Sequence, residues 1–321
     1  MLIKVYCIKQ RAGEMMVRKL TKNFVGLIIT LIVLMGLQSS VWANSKIIFI
    51  PHDNRPISFA QTVESAEGLG FEIVVPPENL LGNRTDSGKV EALWQWLFQE
   101  IKTADSVVLS ADSLIYGSLV DSRKHELSLE TLLERTDKFA KLKQLQPNLR
   151  IYVFASIMRS PRSSFGGVEP SYYEQYGPSI FAATALEDKA ETVGLTKVEE
   201  KELLKFKKNV PEAAFADWLE RRSKNFTVNA KLVSLVNNND FVYLALGRDD
   251  NAPFSQTRKE SRLLKEQADA TPVSKFQCLA GIDELGMVLL TRAINDLSFN
   301  IPLVKIEYAN GVGKNTVPTY S

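Results

Sequence analysis

The sequence predicts an α/β fold built on a parallel sheet. Short runs rich in β-branched residues alternate with helical patterns along most of the chain. The runs are apolar at successive positions, which is typical of parallel strands that helices cover on both faces. We expect a (β/α) barrel-like arrangement first, with an open doubly wound parallel sheet as the alternative.

Seven runs are predicted strands. They are Ile47–Ile50, Glu72–Val75, Ser106–Leu109, Ile151–Ala155, Phe241–Leu246, Phe276–Ala280 and Leu303–Ile306. A closed barrel needs eight strands. Seven strands therefore fit either a barrel whose C-terminal part is missing or an open sheet.

Helical patterns lie between these strands. The clearest are Gly88–Ile101 and Leu129–Leu145, with Ser87 and Ser128 as expected N-caps, and Asp283–Asn295. Residues 157–240 contain no predicted strand and are mostly helical and charged, so we expect a helical insertion there. Two interpretations stay open for this insertion: a lid over the site, or a solvated helical hairpin.

The N-terminus has the layout of a secretory signal peptide. Basic residues Arg18, Lys19 and Lys22 precede the uncharged run Phe24–Leu37, and a cleavage signal ends at Ala43. The run is shorter than the roughly 20 residues that span a bilayer, so an uncleaved membrane anchor is the lesser alternative. We expect a signal peptide over 1–43, one α/β domain over 44–321, and a secreted or cell-envelope protein.

Composition restricts the function classes. The chain has 321 residues, 45% apolar and 24% charged, with a net charge of +2, as in globular proteins. Without residues 1–43 it keeps 33 basic and 36 acidic residues, which argues against nucleic acid as a partner. Cys278 and two histidines are too few for a Cys- or His-based metal centre, and we expect no cofactor.

Polar motifs follow the predicted strands. They are Pro51–Pro56, Ala111–Gly117, Met158–Arg162, Gly247–Asn251 and Gly281–Glu284. In barrels and in doubly wound sheets the carboxyl ends of the strands line the ligand site. The sequence therefore predicts a site at this edge of the sheet.

Two acidic pairs are the candidate catalytic residues: Asp249 with Asp250, and Asp283 with Glu284. Glycoside hydrolysis needs two carboxyl groups in different environments, one protonated and one ionised. The best interpretation is therefore a carbohydrate-active hydrolase. Six further residues are expected to bind the substrate, a carbohydrate or another small molecule of the cell envelope: Asp53, Arg55, Asp112, Tyr116, Arg159 and Arg248.

Other functions use the same residues. Asp53, Asp112, Asp249 and Asp250 can hold a hard divalent cation, while Arg55, Arg159, Arg162 and Arg248 bind a phosphate, as in a metal-dependent phosphoesterase. A non-catalytic protein that binds an envelope glycan or anion is a further alternative. Purely structural roles also stay open, with Asp283 and Ser255 as helix N-caps.

Five long motifs resemble one protein family. PHDNRP, ADSLIYGSLVDSR, EPSYYEQYG, GRDDNAPFSQTRKE and GIDELGMVLLTRA are similar to the uncharacterised bacterial domain of unknown function 4127 family, from Lys46 to the last residue. The resemblance implies no particular activity. Members are typically longer, so this chain resembles a C-terminally truncated member. Where the family has DDRP, this chain has Asp53-Asn54, so the second carboxylate of that motif is lacking.

Overall fold

The computed structural model describes residues 45–164, 166–250 and 252–301. These residues form a six-stranded parallel sheet, which confirms the α/β class. Its strands are β1 (Lys46–Ile50), β2 (Glu72–Val74), β3 (Ser106–Ser110), β4 (Arg150–Ile157), β5 (Tyr243–Arg248) and β6 (Phe276–Ala280). The predicted signal peptide over 1–43 and the predicted strand Leu303–Ile306 lie outside the described residues.

The spatial order of the strands is β2-β1-β3-β4-β5-β6. Strand β1 pairs with β2 on one side, Ile47 beside Ile73, and with β3 on the other, Ile47 beside Ser106. A barrel places each strand next to its neighbour in the sequence, so the expected barrel is corrected to the alternative, an open doubly wound sheet. Both architectures need strands that are apolar on both faces. They differ only in the direction along the sheet in which each crossover places the next strand.

Ten α-helices lie in the described residues. They are α1 (Ala60–Glu64), α2 (Val90–Glu100), α3 (Ala111–Ile115), α4 (Asp121–Lys124), α5 (Leu129–Leu145), α6 (Tyr173–Thr192), α7 (Lys197–Lys208), α8 (Glu212–Asn237), α9 (Gln256–Gln267) and α10 (Leu285–Leu297).

Helices cover both faces of the sheet. On one face α2, α5, α8 and α9 enclose the main core, where strand residues such as Ile48 and Val107 are fully buried. Helix α10 packs on β1, β3 and β4 and contacts α1. A Cβ on Gly286 of α10 would lie 2.9 Å from Cζ of Phe49, so only glycine permits this close approach. Because crossovers are right-handed and the chain reverses its direction across the sheet at β2, α1 and α2 lie on opposite faces.

The predicted helix caps meet different outcomes. Ser128 caps α5, where its hydroxyl accepts a hydrogen bond from the Thr131 backbone N–H (3.1 Å), as expected. The expectation for Ser87 is wrong, because α2 begins two residues later, after Lys89, and the Ser87 hydroxyl donates to Oδ1 of Asp121 instead.

Three helices, α6 to α8, occupy the segment between β4 and β5. Helix α7 has no buried residue and begins with a capping box formed by Thr196 and Glu199. Helix α8 starts directly after Pro211, and its buried residues Val228, Leu232 and Val236 belong to the main core. Helix α8 is therefore the crossover helix that joins β4 to β5.

Candidate functional site

The direction of winding changes between β1 and β3. The chain leaves β1 toward β2 and leaves β3 toward β4, so the loops after these two strands separate and open a crevice. A pocket of about 340 Å³ lies among the loops at the carboxyl ends of the strands. We call it the central pocket; its lining is Arg55, Arg84, Leu119, Val120, Arg123, Arg159, Val168, Asp249, Ile282 and Asp283.

Arg55 is held from both sides by carboxylates. Buried Asp53 accepts hydrogen bonds from the Arg55 backbone N–H and from its Nε (2.9 and 3.0 Å to the two oxygens). On the other side, Nη2 of Arg55 donates to Oδ1 of Asp283 at 2.9 Å. Burial disfavours the Arg55 charge, but the two carboxylates outweigh it and raise its pKa. Asp53 thus orients a permanently charged guanidinium toward the pocket.

A second group of charges joins the loops after β3, β4 and β5. Arg159 donates from Nε to Oε1 of Glu169 (2.5 Å) and from Nη1 to Oδ2 of Asp249 (3.1 Å). Arg123 lies 3.5 Å from Asp249 and 3.8 Å from Glu169. Burial raises the pKa of Glu169, and burial together with the charge of Arg159 lowers that of Arg123.

The surface of the central pocket carries four guanidinium groups and two carboxylates. Asp53 and Glu169 balance two of these cations from behind, where each is almost fully buried. Arg84 is exposed and differs from the other three arginines, because it pairs with no carboxylate among the described residues. Its guanidinium donates a hydrogen bond to the Gly166 carbonyl (3.2 Å). The arrangement presents fixed arginine forks, which match the planar geometry of carboxylates and phosphates.

Asp250 stands apart from Asp249 and has a structural role. Its Oδ2 accepts hydrogen bonds from the Ser160 backbone N–H and the Thr257 hydroxyl (2.8 Å), and its Oδ1 accepts from Ser255 (3.1 Å). Ser255 in turn caps α9 by accepting a hydrogen bond from the Arg258 backbone N–H, as in the structural alternative left open by the sequence. Asp250 therefore joins the end of β4 to the start of α9.

A second pocket, of about 370 Å³, adjoins the central one, and we call it the adjacent pocket. It shares Arg159 and Asp249 with the central pocket and reaches α6. Its lining is Arg159, Ser160, Pro161, Arg162, Ser163, Phe181, Asp249, Asp250, Ala252 and Pro253.

Asp112 is buried beneath the strand ends and lines neither pocket. It accepts hydrogen bonds from the backbone N–H of Ser156 (2.9 Å) and its hydroxyl (3.0 Å). Nδ1 of His52 lies 3.0 Å from its Oδ2 and 3.0 Å from the Ser110 hydroxyl. This cluster connects the loop after β1 to β3 and β4.

Tyr116 lies in a different pocket, of about 500 Å³, beside the start of α2. Its ring stacks on His125, with centroids 5.0 Å apart. His125 is half-buried and bonds from Nε2 to Oδ1 of Asn225 (2.8 Å). Burial is the main cause that lowers the pKa of His125, to about 4.

The last two candidates lie outside the central pocket. Arg248 is 7% exposed, its Nε has no acceptor among the described residues, and burial with nearby Arg258 lowers its pKa. Glu284 is exposed and occupies the N-cap position of α10, one residue after the N-cap expected at Asp283. Asp283 pairs with Arg55 rather than capping the helix.

Three residues of the site were not among the sequence-based candidates: Arg84, Arg123 and Glu169. Arg123 ends the motif ADSLIYGSLVDSR and Glu169 begins EPSYYEQYG. Both lie ten or more residues beyond the strand that precedes them. Their presence in the long motifs was the available signal, and only the folding of the loops brings them to the strand ends.

Residues 45–164, 166–250 and 252–301 contain neither a cluster of metal ligands nor a helix that could span a membrane. No group of three or more His, Cys, Asp or Glu side chains in these ranges is arranged to hold a metal ion. No helix in these ranges has the length and apolar character that crossing a membrane requires.

Comparison with known proteins agrees with the motifs. The model of one family, described as "Protein of unknown function (DUF4127)", matches residues 47–321. No curated protein matches the chain. The match covers more than half of the sequence and overlaps each of the six described strands, so the chain belongs to the DUF4127 family of proteins of unknown function.

Proposed function

We propose that this protein binds a small molecule through a carboxylate or phosphate group in the central pocket. The observation that carries the proposal is the convergence of Arg55, Arg84, Arg123 and Arg159 on one pocket at the switch point of the sheet. A volume of about 340 Å³ is suited to a small ligand.

Binding is an exchange of partners. In the absence of a ligand, Asp249 forms ion pairs with Arg123 and Arg159, and Asp283 forms one with Arg55. Both aspartates are partly exposed, at 38% and 40%, so an incoming anion competes with them for the guanidinium groups. Buried Asp53 and Glu169 hold Arg55 and Arg159 in place during the exchange.

Isothermal titration calorimetry with inorganic phosphate and with citrate tests the proposal. Arg84 is the best residue to change, because it is exposed and forms no ion pair in the described residues. We expect Arg84→Gln to weaken binding about tenfold, since a hydrogen bond to a charged group contributes about 1.5 kcal/mol. Arg135→Gln is a control for the loss of an arginine outside this pocket, because Arg135 lines the separate pocket beside α2. Absence of binding by the unaltered protein at millimolar anion would overturn the proposal.

A glycosidase is the second candidate, because Asp249 and Asp283 line the same pocket. Against it, a general acid is normally a carboxyl group in apolar surroundings, whereas each of these is ion-paired with an arginine. Asp249→Asn separates the two functions: it abolishes turnover in a glycosidase and strengthens anion binding in a binding protein. Chromogenic glycosides and p-nitrophenyl phosphate, each with and without EDTA, complete the test. EDTA-sensitive phosphate release would favour the metal-dependent phosphoesterase.

We also propose that the protein acts after export, as the signal pattern over residues 1–43 indicates. Expression of the whole chain in a bacterium followed by cell fractionation tests this. We expect the product outside the cytoplasm with Asn44 as its first residue. A cytoplasmic product that retains Arg18 to Leu37 would contradict the export proposal.

A further inference from the structure

The adjacent pocket continues the binding site toward α6. Arg159 and Asp249 belong to the walls of both pockets. Their side chains meet at 3.1 Å, and each keeps part of its surface exposed, 21% for Arg159 and 38% for Asp249. A ligand that contacts this ion pair from the central pocket is therefore next to the opening of the adjacent pocket.

The surfaces of the two pockets differ in charge. Four arginines and two aspartates line the central pocket, whereas two arginines and two aspartates line the adjacent one. Asp53 and Glu169 balance two of the central arginines from behind, but they are almost fully buried and do not line the pocket. A ligand therefore meets more guanidinium groups than carboxylates in the central pocket and equal numbers in the adjacent one, which favours its anionic part in the central pocket and a neutral part in the adjacent pocket.

The lining of the adjacent pocket combines apolar surface with hydrogen-bonding groups. Phe181, Pro161 and Pro253 supply apolar surface, while Ser163 and Arg162 supply polar groups. The Arg162 guanidinium lies over the Phe181 ring, 5.2 Å from its centroid, which holds a row of donors beside an aromatic ring. A hydroxylated ring has the matching surface, because its C–H bonds pack on apolar groups and its hydroxyls both donate and accept hydrogen bonds.

We propose that the ligand is a sugar that carries a phosphate or carboxylate group, with the anionic group in the central pocket and the sugar ring in the adjacent pocket. This inference rests on the proposed anion binding and names the class of molecule that uses it. Arg159 contacts both parts of the ligand, because it lines both pockets.

Calorimetry on the whole chain tests the inference with matched probes. The probes are inorganic phosphate, the 1-phosphates of glucose, galactose, mannose and N-acetylglucosamine, the free sugars, and glucuronate and galacturonate. We expect at least one sugar phosphate or uronate to bind about tenfold or more tightly than phosphate, because the added ring atoms fill the adjacent pocket. The free sugars should bind weakly or not at all. Whichever class binds more tightly, the sugar phosphates or the uronates, identifies the anionic group as a phosphate or a carboxylate.

Two variants localise the ring. Phe181→Ala and Arg162→Gln should each remove most of the gain from the sugar and change phosphate affinity less than twofold. Arg162 is exposed, so its replacement keeps the protein folded if Phe181→Ala does not. A control, Phe215→Ala, alters a partly buried ring of α8 that lines neither pocket.

The outcomes separate the two proposals. If phosphate binds but every sugar acid binds no more tightly, or if the gain survives both variants, the sugar inference is wrong and anion binding stands. If free sugars bind as well as their phosphates, the assignment of the anionic group to the central pocket is overturned. If neither phosphate nor any sugar acid binds, both proposals fail together.

Discussion

Replacement of Asp249 by asparagine gives the sharpest test of anion binding. Oδ2 of Asp249 lies 3.1 Å from Nη1 of Arg159 and 3.5 Å from Nη2 of Arg123. An anion on the same two arginines would sit about 5 Å from that carboxylate, by the size of a guanidinium fork. The substitution keeps the shape of the side chain and removes its negative charge, so it removes a repulsion that opposes the ligand.

The magnitude follows from Coulomb's law. Two unit charges about 5 Å apart interact by about 1.7 kcal/mol at an effective dielectric constant of about 40. This dielectric constant is higher than the value of about 20 typical of pairs near a protein surface, because Asp249 is 38% exposed and solvent screens its charge. Phosphate affinity should therefore rise about tenfold or more, and 0.5 M salt should reduce the gain.

Calorimetry with phosphate measures the gain, and thermal unfolding checks the fold. We expect a loss of stability of about 1 kcal/mol, because Arg123 and Arg159 keep Glu169 as a partner. Asp217→Asn is the matched control, since Asp217 is an exposed aspartate paired with a buried arginine, Arg221, outside both pockets. Unchanged or weaker phosphate binding by Asp249→Asn would refute the exchange of partners.

Three further predictions concern stability. Between about pH 6.5 and 4 the unfolded chain binds a proton at His125 that the folded protein excludes, so the free energy of unfolding should fall as the pH decreases, by up to about 3 kcal/mol. Urea titrations at several pH values measure this dependence, and His125→Gln should flatten it. The same dependence on pH in the variant would contradict the prediction. Gly286→Ala should cost about 1–3 kcal/mol, because the new methyl group meets Phe49 at 2.9 Å; a stabilised variant in calorimetric melting would show that α10 shifts freely. Ser128→Ala should lower the free energy of unfolding by about 1 kcal/mol, because α5 loses its N-cap. Ser234→Ala, at an exposed position inside α8, is the control, and equal melting temperatures for the two variants would refute the capping role.

The elements of the sheet were predictable from local pattern. Each of the six described strands falls on a predicted run, and α5 has its predicted bounds, Leu129–Leu145. These elements are encoded locally, because a buried parallel strand must be apolar on both faces and a capped helix needs its Ser128 at the boundary. The start of α2 was less predictable, since Ser87 has the right chemistry for a cap but bonds to a distant aspartate, Asp121.

The sequence predicted the location of the candidate site better than the residues that form it. The edge of the sheet followed from the position of the polar motifs, and four candidates, Arg55, Arg159, Asp249 and Asp283, line the central pocket. Asp250 has the same chemistry as its neighbour Asp249, yet its oxygens face Ser160, Ser255 and Thr257. Strand β5 ends at Arg248 and the chain bends at Asp249, so the two neighbouring side chains reach different partners, and a pair of acids in the sequence does not define a pair in space.

By itself, the sequence determined the α/β class, the positions of the strands and the family to which the chain belongs. The tertiary structure alone decided that the sheet is open, because the order of strands depends on the side to which each crossover returns, and no local pattern encodes that choice. It also decided which charges meet at the central pocket: Arg84 and Arg123 line it, and buried Glu169 lies behind it against Arg123, only because of the path that the chain takes between the strands. Ion pairs such as Arg55 with Asp283 join residues that are 228 positions apart, and contacts of that kind exist only once the chain has folded.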